Sequence, residues 1–532
     1  MPETSGRARG WVLPAAAGVA SVVFGVGVGE LAAAILAPAA SPFVVVGSLL
    51  IDLAPPWAKD AAIALFGTAD KAALLVGIGI VLVAVAGAAG VLEARRPPWG
   101  RIVVALIGVV GVVAATTRAN APMLAFAPSA VAAIASIIAL QFLIRRLPVA
   151  DAATDAAPAP ETDAATVPRA PTGPADRGLD RRRFLTWAGG AAVLGALAAA
   201  GGYALQAGAR AVTAIRDTIT LPTPTAAATV PSAAELDIEG LAPVVTPNAQ
   251  FYRIDTALAV PAVDPSGWRL RVHGMVDQEV TLTWDELLAL PLEESVTTLA
   301  CVSNEVGGGL IGNAVWLGYP IRELLARAAP TADADMVLSR SVDGFTASTP
   351  LAVLEDDRNA ILAIGMNGDP LPPEHGFPVR MVVPGLYGYV SATKWVVDLE
   401  VTRFDAATAY WTDRGWSERG PIKISSRIDV PRSGQTLSAG PITVAGVAWN
   451  QHVGIEAVDV QVDDGPWRPA TLATAISIDT WVQWRYDWDA PSGTHTLRVR
   501  ATGADGEVQT SDVRGVVPDG ATGLDERTVD VT

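Results

Sequence analysis

The only cysteine of this 532-residue chain, Cys301, ends the apolar run Leu299-Ala300-Cys301-Val302-Ser303-Asn304-Glu305, which reads as a strand leaving a core. Such a residue is either a small buried hydrophobe or a thiolate held for chemistry or for a metal. A lone sulfur leaves none for disulfides, iron–sulfur clusters or thiolate-rich zinc sites, because each needs several. Two further segments carry groups that can bind an anion or donate protons. One is His375-Gly376-Phe377-Pro378-Val379-Arg380-Met381-Val382-Val383-Pro384-Gly385, and the other is Ser391-Ala392-Thr393-Lys394-Trp395. Taken alone, Arg380 reads equally as a surface ion-pair partner and Lys394 as a solvated strand residue.

The cysteine and these two segments together resemble the sulfite oxidase superfamily, whose single cysteine ligates molybdenum while a histidine–arginine segment and a later lysine segment hold the pterin cofactor. The resemblance covers roughly residues 245 to 515. Ala314-Val315-Trp316-Leu317-Gly318, Ser341-Val342-Asp343-Gly344 and Met366-Asn367-Gly368 extend it in the family's order and spacing.

The resemblance implies a molybdenum–molybdopterin enzyme that transfers oxygen atoms, while the cysteine count and the placement of the histidines lead to the expectation of no iron–sulfur cluster and no haem. Such chemistry needs a soft anionic ligand and a site for a phosphorylated pterin. Cys301 supplies the ligand. His375 and Arg380 contact the pterin and its phosphate, Ser391, Ala392, Thr393 and Lys394 give backbone and ammonium contacts, and Ser341 bonds the pterin edge. Asn248, Tyr252 and Arg253 form the first cofactor-contacting loop. Asn304, Asp255 and Trp416 join Cys301 as candidates facing substrate. Sulfite oxidases place arginines and a tyrosine around the oxyanion, where planar guanidinium forks suit a small anion. Here Asp255, Val306 beside Glu305, and Trp416 take those positions. Acid beside the metal repels a dianion, so a neutral or cationic sulfoxide or amine oxide is expected. The alternatives are a sulfite oxidase or dehydrogenase and, from another class, a cofactor-less membrane-attached binding or scaffold module. A scaffold would not require Cys301, His375, Arg380 and Lys394 together.

Positioning these groups falls to a soluble region that divides in two. Residues 230–405 alternate β patterns such as Trp268-Arg269-Leu270-Arg271-Val272-His273-Gly274 with helix patterns such as Ile321-Arg322-Glu323-Leu324-Leu325, which makes an α+β molybdopterin-binding catalytic domain. Thr283, with Glu286 three residues on, predicts a capping box. Residues 421–515 carry strands at the spacing of an immunoglobulin-like sandwich, without its disulfide. The resemblance implies that this sandwich pairs two copies of the chain as a homodimer.

The remainder is too apolar for water. With 51% hydrophobic residues, the chain places uncharged stretches at 11–37, 72–92, 102–117, 125–144 and 184–206, each suited to a bilayer crossing. A four-span membrane domain, 1–148, thus precedes a disordered linker, 149–180, and a fifth span within 181–207. The stretch 42–67, interrupted by Asp52, Pro55, Pro56, Lys59 and Asp60, reads as interfacial or re-entrant. Arg7, Arg9, Arg95, Arg96, Arg101, Arg145 and Arg146 flank one side of the spans, against Lys59, Lys71 and Arg118 on the other, so the N-terminus is cytoplasmic. Asp180-Arg181-Arg182-Arg183-Phe184-Leu185-Thr186 is either a positive flank or, by resemblance, an internal uncleaved twin-arginine signal with Asp180 and Thr186 in place of the usual residues. A protein folded around a cytoplasmic cofactor must cross already folded, and an odd number of spans also puts the catalytic part outside. His273, His375, His452 and His495 all lie in the soluble region, and the membrane part offers only Met123 as a soft ligand, which excludes bis-histidine haem there. Glu30 is either an intramembrane ion site or an interfacial acid. Gly25-Val26-Gly27-Val28-Gly29 reads as helix packing rather than a nucleotide loop. A net charge of −16 argues against nucleic acid. The expected partners are a small-molecule substrate, the lipid bilayer and an electron-transfer partner.

Overall fold

The computed structural model describes residues 11–37, 40–53, 70–117, 124–147, 174–205, 208–257 and 260–532. The chain forms two compact units, Met1–Gly208 and Ala209–Thr532.

The first unit is helical. Among the described residues, five of its helices are long and apolar enough to cross a membrane: Val12–Leu36, Val76–Arg95, Trp99–Thr116, Ala127–Ile144 and Arg182–Gly201. The first lies at the centre, against the helices Asp70–Arg95, Ala127–Ile144 and Pro174–Leu205. Glycines make the contact possible. A Cβ on Gly25 would collide with Ser136 Oγ, and one on Gly27 with the backbone of Gly195, so small residues let the backbones approach. Glu93, buried on the second of these helices, accepts from Arg101 Nε at 2.7 Å across the hairpin. Glu30 Oε1 accepts from Ser41 Oγ (2.8 Å) and Phe43 N (3.3 Å), capping the start of the helix Pro42–Leu53. The described part of that helix has 12 residues, shorter than a bilayer crossing.

The helix containing Arg182 and Arg183 begins at Pro174, inside the stretch expected to be linker. Proline is pre-organised for a first helical turn, a signal hidden by the Ala/Pro/Asp composition around it. The rest of that stretch, 149–173, lies outside the described residues, as do 54–69, Arg7, Arg9, Lys59, Arg118 and Met123.

The second unit is built from β1 (Arg269–Gly274), β2 (Val280–Thr283), β3 (Glu293–Ala300), β4 (Ile311–Pro320), β5 (Met336–Ser341), β6 (Thr346–Pro350), β7 (Ile361–Met366), β8 (Asp369–Pro370), β9 (Arg380–Val382) and β10 (Val396–Thr402), followed by a sandwich. One sheet has the order β2-β1-β10-β5-β6, the other β3-β4-β7-β8 with β9 paired to β7. β1 and β10 run parallel, with Arg271 opposite Asp398. Thr283 and Glu286 form the capping box before the helix Trp284–Leu288. Trp268, Leu270, Leu287, Leu324, Val337, Leu362 and Leu399 form the core between these layers.

The sandwich has two sheets. One comprises β11 (Ser425–Val430), β13 (Gly440–Trp449), β17 (Val482–Ala490) and β16 (Thr471–Leu472). The other comprises β12 (Thr436–Leu437), β19 (Asp525–Val531), β18 (Gly493–Gly503), β14 (Ile455–Val462) and β15 (Arg468–Pro469). Val444, Trp484, Leu497 and Val529 meet between them. The sandwich therefore runs beyond residue 515, because Val529 and Val531 alternate inward along β19.

A strap from Thr225 to Thr246 crosses both halves of this unit. Thr225 N donates to Leu292 O (2.7 Å), Leu236 N to Gln483 Oε1 (2.7 Å), and Val244 O accepts from Trp481 Nε1 (2.9 Å) and Asn313 Nδ2 (2.7 Å).

Candidate active site

Register places the chemical residues at strand ends. Ala300 pairs with Ile311 as the last rung of β3 and β4, so Cys301 is the first residue past the sheet. Ser341 ends β5, Arg380 opens β9 on β7, and Lys394 lies two residues before β10. These ends converge on one cleft. It is lined by Cys301, Tyr252, Asp255, Ser341, His375, Arg380, Ala392, Lys394 and Trp416 from the expected set.

Cys301 is 7% exposed. Burial pushes its thiol above the ordinary range, with hydrogen bonds from Ser303 opposing. A bound cation would reverse that balance. His375 closes a short 3₁₀ turn, Pro373–His375, and Gly376 follows in the left-handed region at φ 117°. A Cβ there would lie 2.9 Å from Arg380 Cβ and 3.2 Å from Lys394 Cβ, so glycine lets Arg380 and Lys394 both pack against this turn. His375 Nε2 donates to Asn248 O at 3.1 Å, because a carbonyl can only accept. Burial and then Arg380 hold this histidine down at about 4, neutral at pH 7.

Arg380 is 5% exposed, and its hydrogen bonds go to the carbonyl oxygens of His375 (3.0 Å), Met381 (3.3 Å) and Ala392 (3.5 Å). Its guanidinium carbon lies 5.0 Å above the Trp316 ring. Among the described residues no carboxylate pairs with it, and burial pulls it down to about 10. Lys394 differs, since its Nζ donates to Asp255 Oδ2 (2.6 Å) and Glu374 O (3.1 Å). Burial lowers it to about 8 while Asp255 opposes. Tyr252 is raised well above the phenol range by burial and by the Cys301 sulfur.

Other expected residues brace the site without lining it. Asn248 accepts from Asn367 Nδ2 (2.8 Å) and donates to Met366 O (3.2 Å). Arg253 Nε donates to Asp255 (2.8 Å). Ser391 Oγ donates to Tyr387 O (3.0 Å), and Thr393 Oγ1 bonds Ser339 Oγ (2.7 Å). Asn304 Oδ1 accepts from Leu310 N (2.8 Å), tying the cysteine loop shut. Two electrostatic expectations change. Asp255 is neutralised by Lys394 and Arg253, and Glu305 is exposed and absent from the lining. The acids flanking the cysteine therefore present no free charge to the cleft.

Sequence reasoning missed Phe251, Asp343, Phe345, Tyr389 and Trp411, which also line it. Tyr389, Trp416 and Trp411 form an aromatic wall, with centroids 5.9 Å and 6.1 Å apart. Tyr389 donates to Ser417 O at 2.7 Å. Its position between the two motif segments and the five-residue spacing of the tryptophans were the available signals.

The family description "Oxidoreductase molybdopterin binding domain" matches residues 257–411, and "Bacterial Ig domain" matches 425–499. An oxidoreductase of Bacillus subtilis, YuiH, is 34% identical over 160 residues, 30% of this chain and 76% of its own length. The chain belongs to the sulfite oxidase family of molybdopterin-binding oxidoreductases. Human mitochondrial sulfite oxidase is 30% identical over 302 residues, covering 48% of this chain and 55% of its own. The chain spans about half the length of the mammalian sulfite oxidases it matches. The sulfane dehydrogenase SoxCD of Paracoccus pantotrophus superposes with a TM-score of 0.47 at 23% identity, over 56% of this chain and 85% of that one.

The residues of this sulfite oxidase-family chain fit a molybdopterin. A buried guanidinium without a carboxylate is costly unless an anion meets it, and Arg380 with the Cys301 sulfur in one cleft offers a place for a phosphate and a soft ligand for a metal. The matched domain contains Cys301, Ser341, His375, Arg380 and Ser391–Lys394, while the loop from Asn248 to Asp255 lies before it and Trp416 after it.

Proposed function

We propose that this chain is a membrane-anchored molybdenum-cofactor oxidoreductase, facing outward, that transfers an oxygen atom to or from a neutral or cationic S- or N-oxide. When bound, the cofactor supplies two-electron oxygen-atom transfer. The protein's own contribution is placement. Cys301 offers the thiolate and Arg380 the counter-charge for the pterin phosphate. His375 keeps its proton on Nε2, bonded to Asn248, which leaves Nδ1 as an acceptor that would take a hydrogen bond from a bound pterin. Ser341 and the Ala392–Lys394 backbone complete the cradle, and Asp255 keeps Lys394 charged.

One observation supports the substrate class above others. The wall of Tyr389, Trp411 and Trp416 faces a cleft whose cations, among the described residues, are Arg380 and Lys394, one in the cofactor cradle and the other already paired with Asp255. No guanidinium fork remains for a small dianion, whereas indole faces suit apolar or cationic groups. Outward orientation rests on the arginine asymmetry and on Arg181 to Leu185. Electrons would pass to or from a separate partner protein, and the sandwich would pair two copies of the chain.

The test is metal and pterin analysis of the purified full chain, then steady-state kinetics with an artificial electron carrier in both directions. About one molybdenum per chain is expected, lost in Cys301→Ser with the fold retained. Sulfite turnover at an efficiency in the 10⁴–10⁸ M⁻¹s⁻¹ range typical of enzymes would overturn the substrate reading and favour sulfite oxidation, the activity named in the human relative.

A further inference from the structure

The loop from Cys301 to Leu310 has a base, a middle and a tip, and each is held differently. At the base, Cys301 N donates to Leu310 O at 2.9 Å. In the middle, Asn304 N donates to Cys301 O (3.0 Å) while Asn304 Oδ1 accepts from Leu310 N (2.8 Å). The tip, Gly307-Gly308, is held from the sandwich. Arg427 on β11 donates from Nη1 to Gly308 O at 2.9 Å, and Arg527 on β19 reaches Gly307 O at 3.5 Å. Asp525, 3% exposed, lies so close to Gly307 that a Cβ there would collide with its carboxylate. Gly307 itself stands at φ 72°, a conformation that glycine adopts at least cost.

The clamp residues are themselves fixed. Arg427 Nε donates to Asp429 Oδ1 at 2.6 Å, Asp525 Oδ2 accepts from Ile428 N at 2.8 Å, and Arg527 pairs with Asp525 at 3.1 Å. Side chains locked on two neighbouring strands form a rigid surface, and hydrogen bonds from charged donors are the stronger kind. A displacement of the tip passes through Asn304, which bonds both Cys301 and Leu310, to the sulfur.

We infer that the sandwich positions the Cys301 loop, with Arg427 and Asp525 as positioning residues, so that this domain sets the placement and shielding of the sulfur whether or not it pairs two chains. The reading places Cys301 in the cleft, and its test is separable from turnover, because Cys301 is the only thiol in the chain.

The experiment uses the detergent-solubilised full chain prepared without molybdate, and follows iodoacetamide labelling of Cys301 at fixed pH in wild type, Arg427→Gln, Gly307→Ala and Arg500→Gln. Arg500 on β18 pairs with Asp459 on the adjacent strand β14, at 3.0 Å, and serves as a control for loss of a sandwich ion pair. Arg427→Gln and Gly307→Ala, which disturb the same contact from opposite sides, are each expected to label about tenfold faster through local opening of the loop, with Arg500→Gln unchanged. In molybdenum-loaded protein the two variants should also shift the sulfur-to-metal absorption and lower kcat more than they raise KM, and Arg427→Lys should restore part of each. Equal labelling and unchanged absorption in folded Gly307→Ala would overturn the inference even if Arg427→Gln failed to fold. An equal rise in Arg500→Gln would overturn it too, by assigning the effect to general loosening.

Discussion

Lys394 Nζ stands 2.6 Å from Asp255 Oδ2, with the two side chains only 10% and 4% exposed. The acid that sequence reasoning placed against the substrate is thus the counter-ion of Lys394, shared with Arg253 at 2.8 Å. Asp255→Asn should leave a buried cation uncompensated and destabilise the second unit by about 3–5 kcal/mol. Adding Lys394→Met should recover much of that loss. Denaturant titration followed by tryptophan fluorescence reads both, and a cost for the single variant below about 1 kcal/mol would make the pair no stronger than a surface bridge.

His375 gives a signed pH dependence. Burial holds its folded value at about 4 against an ordinary 6.5, so between those values the unfolded chain binds a proton that the folded chain refuses. Stability therefore rises with pH through this window and is lost as pH falls from 6.5 to 4, by about 3 kcal/mol at the acid end. Melting midpoints against pH should show that slope, and His375→Gln should flatten it.

Trp416→Ala removes one panel of the aromatic wall. With a sulfoxide or amine oxide as substrate, loss of about 1.5–3 kcal/mol of apolar contact should raise KM more than tenfold. If that contact is made equally in ground and transition states, kcat should move little. An unchanged KM for every such substrate would place the binding surface elsewhere.

Replacing Arg181, Arg182 and Arg183 together by lysine keeps the positive flank. If these residues are an export signal, the second unit should stay protected from external protease in intact cells. External cleavage undiminished in cells lacking twin-arginine export would show that the arginines only anchor the helix Pro174–Leu205.

Much of the fold was legible because it rests on local patterns. Apolar runs without charge marked the five long helices, Thr283 and Glu286 marked a capping box, and alternation along the segments around Val444 and Val460 marked the sandwich. The meeting of Cys301, Ser341, His375, Arg380 and Lys394 in one cleft was legible through motif spacing. The rest of the aromatic lining was not, because Tyr389, Trp411 and Phe345 reach the cleft only after the β5–β6 turn, the segment before β10 and the segment beyond it pack together, and no sequence period encodes that. The charge at Asp255 was misjudged for the same reason, since its partner lies 139 residues away.

The strap from Thr225 to Thr246 bears on the order in which the ribosome delivers this chain. Its acceptors and donors on Asn313, Trp481 and Gln483 are synthesised after it, and its last anchor, Gln483, appears only when 483 of the 532 residues have been joined. Until then Glu235 Oε1 and Ala242 O lack the Gln483 amide that joins them. The second unit thus cannot be sealed piece by piece from its N-terminus, because non-local contacts must await both of their ends. It closes late and as a whole, with the cysteine loop and the sandwich that grips it arriving at their final places in the same event.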